Sequence, residues 1–301
     1  MTNTKNRILE IFALLSLAFF AGCDVSTQDR FISEYVVEAY LFAGEDMPDV
    51  RISRTVPFGT AYNFDEQAVS GATVNIRLLD ENGALVREHP YTEVFGRGVY
   101  STPFSSSQVE PRGVYELEVN FANDGTVLRA TTIVPDTFSI VSTMLDTIPY
   151  LATEQLEVDV TPSLYPGRQN MFIFSTEAED VRYENLTPFL RDIIDEDESI
   201  EEFRINESPI INEGNFDVNP NGTITIRVPW IAIAFLGKNT VTINAVDDNI
   251  FDFITSQNIQ AMPSTLSPGE IPNVVDNIEG GTGVFGSFAR VSSEIFVSTP
   301  R

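Results

Sequence analysis

Apolar and polar residues alternate along most of this chain with a period of two, the repeat of a half-buried strand. "YVVEAYLF" (35–42) and "DVRISRTVP" (49–57) are the first two runs. "GATVNIRLLDENGALVREH" (71–89) holds two more, joined at Glu81-Asn82-Gly83, and "GVYELEVNFANDGTVLRATTIVP" (113–135) repeats the device at Asn123-Asp124-Gly125. Asn-Gly and Asp-Gly supply the positive φ values that tight hairpins require. Residues 31–135 are therefore expected to form a sandwich of short antiparallel strands, with Pro135 as its boundary.

That arrangement resembles immunoglobulin-like and carboxypeptidase-regulatory-like domains at the level of fold. Strand-like runs continue in a second β-rich domain, 136–301: "FSIVSTML", "QLEVDV", "NMFIFST", "GTITIRV" and "NTVTINAV". Two stretches break the pattern. "ENLTPFLRDIIDEDESIEEF" (184–203) reads as a short helix running into an acidic loop, whose residues 192–202 include Asp195-Glu196-Asp197-Glu198. "DDNIFDFITSQNIQ" (247–260) has acidic caps at Asp247 and Asp248, then Ile250, Phe253, Ile254 and Gln257 at helical spacing. Its apolar side is expected to pack on the second sheet. The expected class is all-β with minor helices.

The first 22 residues stand outside this scheme. Lys5 and Arg7 precede an apolar run from Ile11 to Gly22, too short to span a hydrocarbon core of about 30 Å, and the segment reads as a cleaved export signal. It closes on Phe20-Ala21-Gly22-Cys23, which resembles a bacterial lipobox with Phe20 in the usual leucine position. Cys23, the chain's one cysteine, is the expected lipidation site, with 23–30 as the lipidated linker. Two or more acyl chains would hold the protein at a membrane, and an acylated Cys23 leaves no disulfide.

Charge narrows the partners. The chain carries 18 basic and 44 acidic residues, a net −26, and loss of Lys5, Arg7 and Glu10 with the signal takes this to −27. Nucleic acid is excluded as a partner, and anionic membrane surfaces would be repelled. Lys5 and Lys238 are the only lysines. An acidic surface poor in lysine stays dispersed when salt screens ordinary charge, which points to a halophilic or marine source, with an ordinary acidic cell-surface protein as the alternative.

"GGTGVFG" (280–286) has the glycine spacing of a dinucleotide fingerprint. That reading needs a strand before, a helix after and an acidic residue about 20 positions on. A proline-rich connection (Met262 to Pro272) precedes instead, the β-like "SFARVSSEIFV" follows, and 15 residues remain after Gly286. The glycines are expected to let a strand bend or approach another backbone, with Val284 and Phe285 in the core.

With "VVEAYL", "RISRTVP", "VSGATVNI", "GVYELEV" and the C-terminal "NIEGGTGVFGSF", the chain resembles the domain-of-unknown-function family 4249 of Bacteroidota-type envelope lipoproteins. Asn277, Ile278, Gly280, Gly281, Gly283, Phe285 and Gly286 carry the most specific part of the likeness, as a structural motif. The resemblance implies an outer-membrane or periplasmic lipoprotein encoded near TonB-dependent transporters. It implies no activity and no catalytic residues.

Catalytic parts are scarce. His89, the one histidine, sits in "REHPYTE" and is expected in an exposed loop. Without a second histidine or a free cysteine there is no triad, dyad or histidine-based zinc site, and no Gly-x-Ser-x-Gly elbow occurs. A carboxylate-pair hydrolase would want aromatic platforms, yet Trp230, the one tryptophan, lies in the apolar "VPWIAIAFL" and reads as core. "DVNPNG" (217–222) matches the start of a Ca²⁺ loop through Asp217, Asn219 and Asn221, but Val228 stands where the bidentate glutamate belongs and a strand follows where a helix should, so a hairpin turn without metal is the preferred reading and Ca²⁺ the weaker one. No other cofactor is expected. Three readings stay open: a non-enzymatic binding or accessory lipoprotein beside a transporter or another envelope protein, a structural or adhesive surface protein, and a hydrolase.

Overall fold

The computed structural model describes residues 31–94, 96–103, 107–141, 147–152, 156–194, 199–261 and 274–300. Residues 1–22, Cys23, the acidic run 195–198 and all of the proline-rich connection 262–272 lie outside the described residues. Contacts divide the chain into Met1–Ser33 and Glu34–Arg301, and the second unit holds the fold.

The fold is all-β with minor helices. Alternation becomes strand along most of its length: β1 (Tyr35–Phe42), β2 (Val50–Arg54), β3 (Ala72–Leu79), β4 (Leu85–Glu93), β5 (Val99–Ser101), β6 (Val114–Phe121) and β7 (Val127–Ile133) form the first part, whereas of "FSIVSTML" the described residues 138–141 make only an isolated bridge from Ile140 to Val160. A short helix α1 (Phe64–Gln67) interrupts it, capped by the Asn63 side chain on the Asp65 amide. The Asn-Gly hairpin is closed by Asp80, whose Oδ1 accepts from the Asn82 and Ala84 amides at 2.8 Å each. Buried residues alternate along β1, β3, β6 and β7, filling a core that includes Val37, Leu41, Ile76, Tyr100, Tyr115, Leu117 and Leu128.

The β-rich remainder comprises β8 (Thr147–Pro149), β9 (Leu156–Val160), β10 (Met171–Ala178), β11 (Ile205–Glu207), β12 (Ile211–Asn212), β13 (Asp217–Val218), β14 (Ile224–Val228), β15 (Gly237–Val246) and β16 (Thr282–Ser298). Helix α2 (Pro188–Arg191) is one turn; α3 (Asp248–Ala261) is the longest helix among the described residues. A three-stranded sheet, β13-β14-β9, faces β10, β15 and β16 across a second core built on Phe172, Phe174, Val158, Ile226, Ile243 and Val297. Trp230 packs half-buried against that core, edge-on to Tyr150 at 5.6 Å.

The last strand joins everything. β16 pairs antiparallel with β15 from Phe288 to Val297 and parallel with β1 from Thr282 to Phe288, so one sheet runs β11-β10-β15-β16-β1-β2. Ile278 and Phe285 belong to the first core, while Ala289, Ile295 and Val297 belong to the second. Helix α3 lies on the sheet face opposite the second core, with Ile250 packed against Ile173, Val246 and Val284.

His89 overturns its sequence reading. It is buried at 1% exposure within β4, opposite Ile76, and is not in a loop. Pro90 made the stretch look like a break, because proline cannot donate to a ladder. Around Pro90, however, β4 pairs on one side with β3, and β5 joins the other side only at Thr92 and Glu93, so the missing N–H leaves no bond unmade.

Candidate functional site

The glycine segment is a joint. Gly280 and Gly281 lie so close to the Val127 and Tyr35 carbonyl oxygens that an added Cβ would sit 2.7 Å from either. Gly283 has φ +119°, a backbone that L side chains rarely adopt, and its missing Cβ leaves room for the Val37 carbonyl. Gly286 makes way for the Ile250 side chain of α3.

Beyond Val246, strand β15 leaves the sheet, so the upstream residues of β16 lose their neighbour on that side. Asn277 replaces it. Its Oδ1 accepts from the Phe285 amide at 3.0 Å and its Nδ2 donates to the Phe285 carbonyl at 2.8 Å. Asn249 adds a second donation to that carbonyl at 3.0 Å and another to Thr131 O at 2.8 Å.

Asp247 sits fully buried beside them. Its Oδ1 caps α3 through the Ile250 amide at 2.8 Å, and Oδ2 accepts from the Thr132 hydroxyl, which is 2.7 Å from Ser287 Oγ. Burial pushes its carboxyl up to about 6, against the hydrogen bonds from Thr132, Ile250 and Ser287 that pull it down. The cluster ties β7, α3 and β16 together, and every polar group in it is occupied by another part of the chain.

The calcium candidates form a turn that is internally satisfied. Asp217 pairs with Arg227 at 2.6 Å; Asn219 donates to Thr223 Oγ1 at 2.9 Å and Thr225 Oγ1 at 3.0 Å; Asn221 Oδ1 accepts from Thr223 Oγ1 at 2.8 Å. Among the described residues no group of three or more His, Cys, Asp or Glu is placed to hold a metal.

What remains open is the outer face of β11, β10, β15, β16 and β1. Register sets its side chains in rows. Beside α3 runs an apolar row, Met171, Val246, Phe288 and Phe42; next come Ile173, Asn244 and Arg290; then Glu207, Ser175, Thr242 and Ser292; and last Ile205, Glu177, Thr240 and Glu294. The face thus grades from apolar under the helix through hydroxyl and amide groups to carboxylates. A groove of about 330 Å³ lies along it, bounded by Ile254 of α3 and by Phe288.

Aromatic packing stiffens the apolar end. Phe42 and Phe288 stack at 5.1 Å, and Arg290 lies over Phe42 at 4.2 Å while gripping Glu45 with two bonds of 2.6 and 2.8 Å. Thr242 and Ser292 hydroxyls meet at 2.9 Å in the middle. The Tyr40 phenol, at the helix side, is pushed up by burial and then by Glu38. Chemically the face offers hydroxyl and amide partners within an acidic rim, which suits a polar or basic partner. A separate cleft of about 410 Å³ opens between the two sheets beside Phe174, Ser208, Arg227 and Ile231.

Sequence reasoning missed the outer face because its residues come from five strands spread between positions 40 and 294. Alternation marks each strand's two sides without saying which side stays open.

A family model described as Domain of unknown function (DUF4249) matches residues 24–294. No curated protein matches the chain. Among solved structures, Escherichia coli alpha-2-macroglobulin activated by porcine elastase is similar at 9% identity and a TM-score of 0.23, over 89% of this chain and 20% of that one. A tetra-tandem repeat in the extending region of a large adhesion protein is similar at 10% identity and 0.22, over 89% and 50%. The I67–I69 fragment of the titin I-band follows at 10% and 0.21, over 88% and 65%.

Proposed function

The chain belongs to the DUF4249 family, and we propose that it works as a non-catalytic binding lipoprotein of the cell envelope, held at the outer membrane through Cys23 and engaging a TonB-dependent transporter or another envelope protein. The observation that carries this reading is the open outer face of β11, β10, β15, β16 and β1. It is broad and graded in polarity, and its Thr242, Asn244, Ser175 and Ser292 side chains lie between the apolar strip along α3 and the acidic rim. Protein interfaces are broad surfaces that combine apolar contact with hydrogen-bonding groups, whereas small-molecule enzymes want a deep enclosed pocket.

The test is an affinity pull-down of the tagged full-length lipoprotein from detergent-solubilised envelope, with mass spectrometry of what is bound. A transporter recovered in near-equal amount supports the reading. Thr242→Arg with Asn244→Lys, both on partly exposed strand positions, should then abolish recovery while leaving the unfolding midpoint unchanged. Recovery unaffected by that pair would remove the outer face from the proposal, and no co-purifying envelope protein would favour a lone structural or adhesive role.

A further inference from the structure

Strand β2 ends at Arg54 and hands over to Thr55–Phe64, ten residues without a charge in a chain whose net charge is −26. Residues 57–63 are all exposed, and Phe58 at their tip is fully exposed. The loop is held in shape. Thr60 N donates to Pro57 O at 3.0 Å across a turn with Gly59 at φ +80°, Tyr62 Oη donates to Ser53 Oγ at 3.0 Å, and Asn63 caps α1. A phenylalanine presented to water on a fixed turn serves no packing purpose within the fold.

The place of the loop supplies its partner. Glu34, where the folded unit begins, is bonded to the foot of the loop twice: Glu34 N to Thr55 Oγ1 at 2.9 Å and Thr55 N to Glu34 O at 3.0 Å. Cys23 precedes Glu34 by eleven residues, a contour of at most about 40 Å, and Phe58 follows Thr55 by three, about 11 Å at most. The loop therefore adjoins Glu34, the first residue of the folded unit, to which the segment from Cys23 is covalently joined. Arg51 and Arg54 flank it on the strand side, lying over the Phe64 and Tyr35 rings at 4.1 and 4.0 Å.

We propose that the 55–64 loop is a membrane-contacting tip: Phe58 enters the interfacial zone of the phospholipid bilayer that holds the Cys23 lipid, with Arg51 and Arg54 at the level of the phosphates. This rests on the lipoprotein reading above. An acidic protein tied to a bilayer is repelled by anionic headgroups over most of its surface. A charge-free aromatic loop with arginines on its strand side is the part that can approach, the exposed Asp65 and Glu66 following Phe58 on α1, and contact there fixes which way the outer sheet face points.

Phe58→Trp tests it in the full-length lipoprotein, purified in detergent and reconstituted into vesicles of phosphatidylethanolamine with a minor share of phosphatidylglycerol. Phe58 touches no core, so the substitution leaves the fold intact, and the parent protein carrying Trp230 alone serves as control. In vesicles whose acyl chains are brominated, the emission added by the new indole should fall at least roughly twofold, as expected for a side chain in the interfacial zone, and Trp230 emission should not change. Added emission that is indifferent to bromination, from protein whose intact mass carries the lipid, overturns the membrane tip alone. An intact mass without lipid on Cys23 overturns the tether and the tip together.

Discussion

At single positions the backbone and the buried ionisable groups set the strongest constraints. Gly283 combines positive φ with a carbonyl in the space a side chain would need. Gly283→Ala should cost roughly 2–4 kcal/mol of unfolding free energy, from backbone strain plus displacement of β1, whereas Gly83→Ala, with open space around it, should cost the strain alone. Chemical denaturation of the two variants separates them, and equal losses would show that contact with Val37 is unimportant. His89 is sealed in the first core, and its Nε2 has no hydrogen-bond partner there. Burial holds its imidazole below the usual range, Arg87 adds to this, and Glu110 opposes. The unfolded chain takes up a proton near pH 6.5, before the folded chain does. Stability from the neutral ring is therefore complete above that pH and is lost as pH falls through the lowered folded value. His89→Leu should lose stability less steeply than the parent between pH 7 and 5, and identical slopes would refute a buried neutral imidazole.

Elements are locked to one another by two polar clusters of opposite pH response. On the outer side of β3, β4, β6 and β7, Arg77 bonds Glu88 at 3.0 Å, Glu116 at 3.1 Å and Glu118 at 3.1 Å, and Arg129 reaches Glu118 at 2.9 Å. Asn120, Arg77 and Arg129 hold the Glu118 carboxyl down at about 2, so its contribution is present above pH 4.5 and lost as pH falls towards 2. Arg77→Ala leaves Glu88 and Glu116 without their cation and Glu118 with Arg129 and Asn120 only, and should cost about 1–2 kcal/mol at low salt, and less in molar salt. A salt-independent loss would assign the effect to packing of the arginine stem. Asp247 behaves the other way. The folded state binds a proton near pH 6 and the unfolded state near 3.8, so ionising the buried carboxyl costs stability as pH rises through that window, roughly 3 kcal/mol once complete. Asp247→Asn keeps the cap on Ile250 and should match or exceed the parent above pH 7. Asp247→Ala should fall roughly 2–4 kcal/mol short from the lost cap, the lost Thr132 hydrogen bond and the cavity left behind. An Asn variant as damaged as the Ala variant would show that the carboxylate itself is required.

For the molecule as a whole, charge is the dominant variable. A net −26 on 301 residues repels itself in the compact state, and screening relieves that repulsion. The unfolding midpoint should climb between low and molar sodium chloride, because the long-range term summed over 44 acids outweighs the weakening of local pairs such as those at Arg77. A midpoint that falls with salt would refute the halophilic reading. The same charge bears on binding: association at the outer face, with Glu177, Glu207 and Glu294 along its far rows, should slow with added salt if the partner is basic.

The sequence by itself determined the elements. Period-two alternation marked the strands, Asn82-Gly83 and Asp124-Gly125 marked the hairpins, and Asp247 with its apolar followers marked α3, because each signal acts within a few residues of its effect. It also pointed to a structural role for the 280–286 glycines, since no helix follows to make a nucleotide site. His89 was misread, because the effect of Pro90 depends on which neighbour strand is present. The outer face and the Thr132–Asp247–Ser287 cluster were likewise decided only by tertiary structure. The cluster joins residues 115 and 155 positions apart, and the face exists only once β16 has run beside both β15 and β1. Which side of a strand finds a covering layer depends on the path of the rest of the chain, and no local pattern records that path.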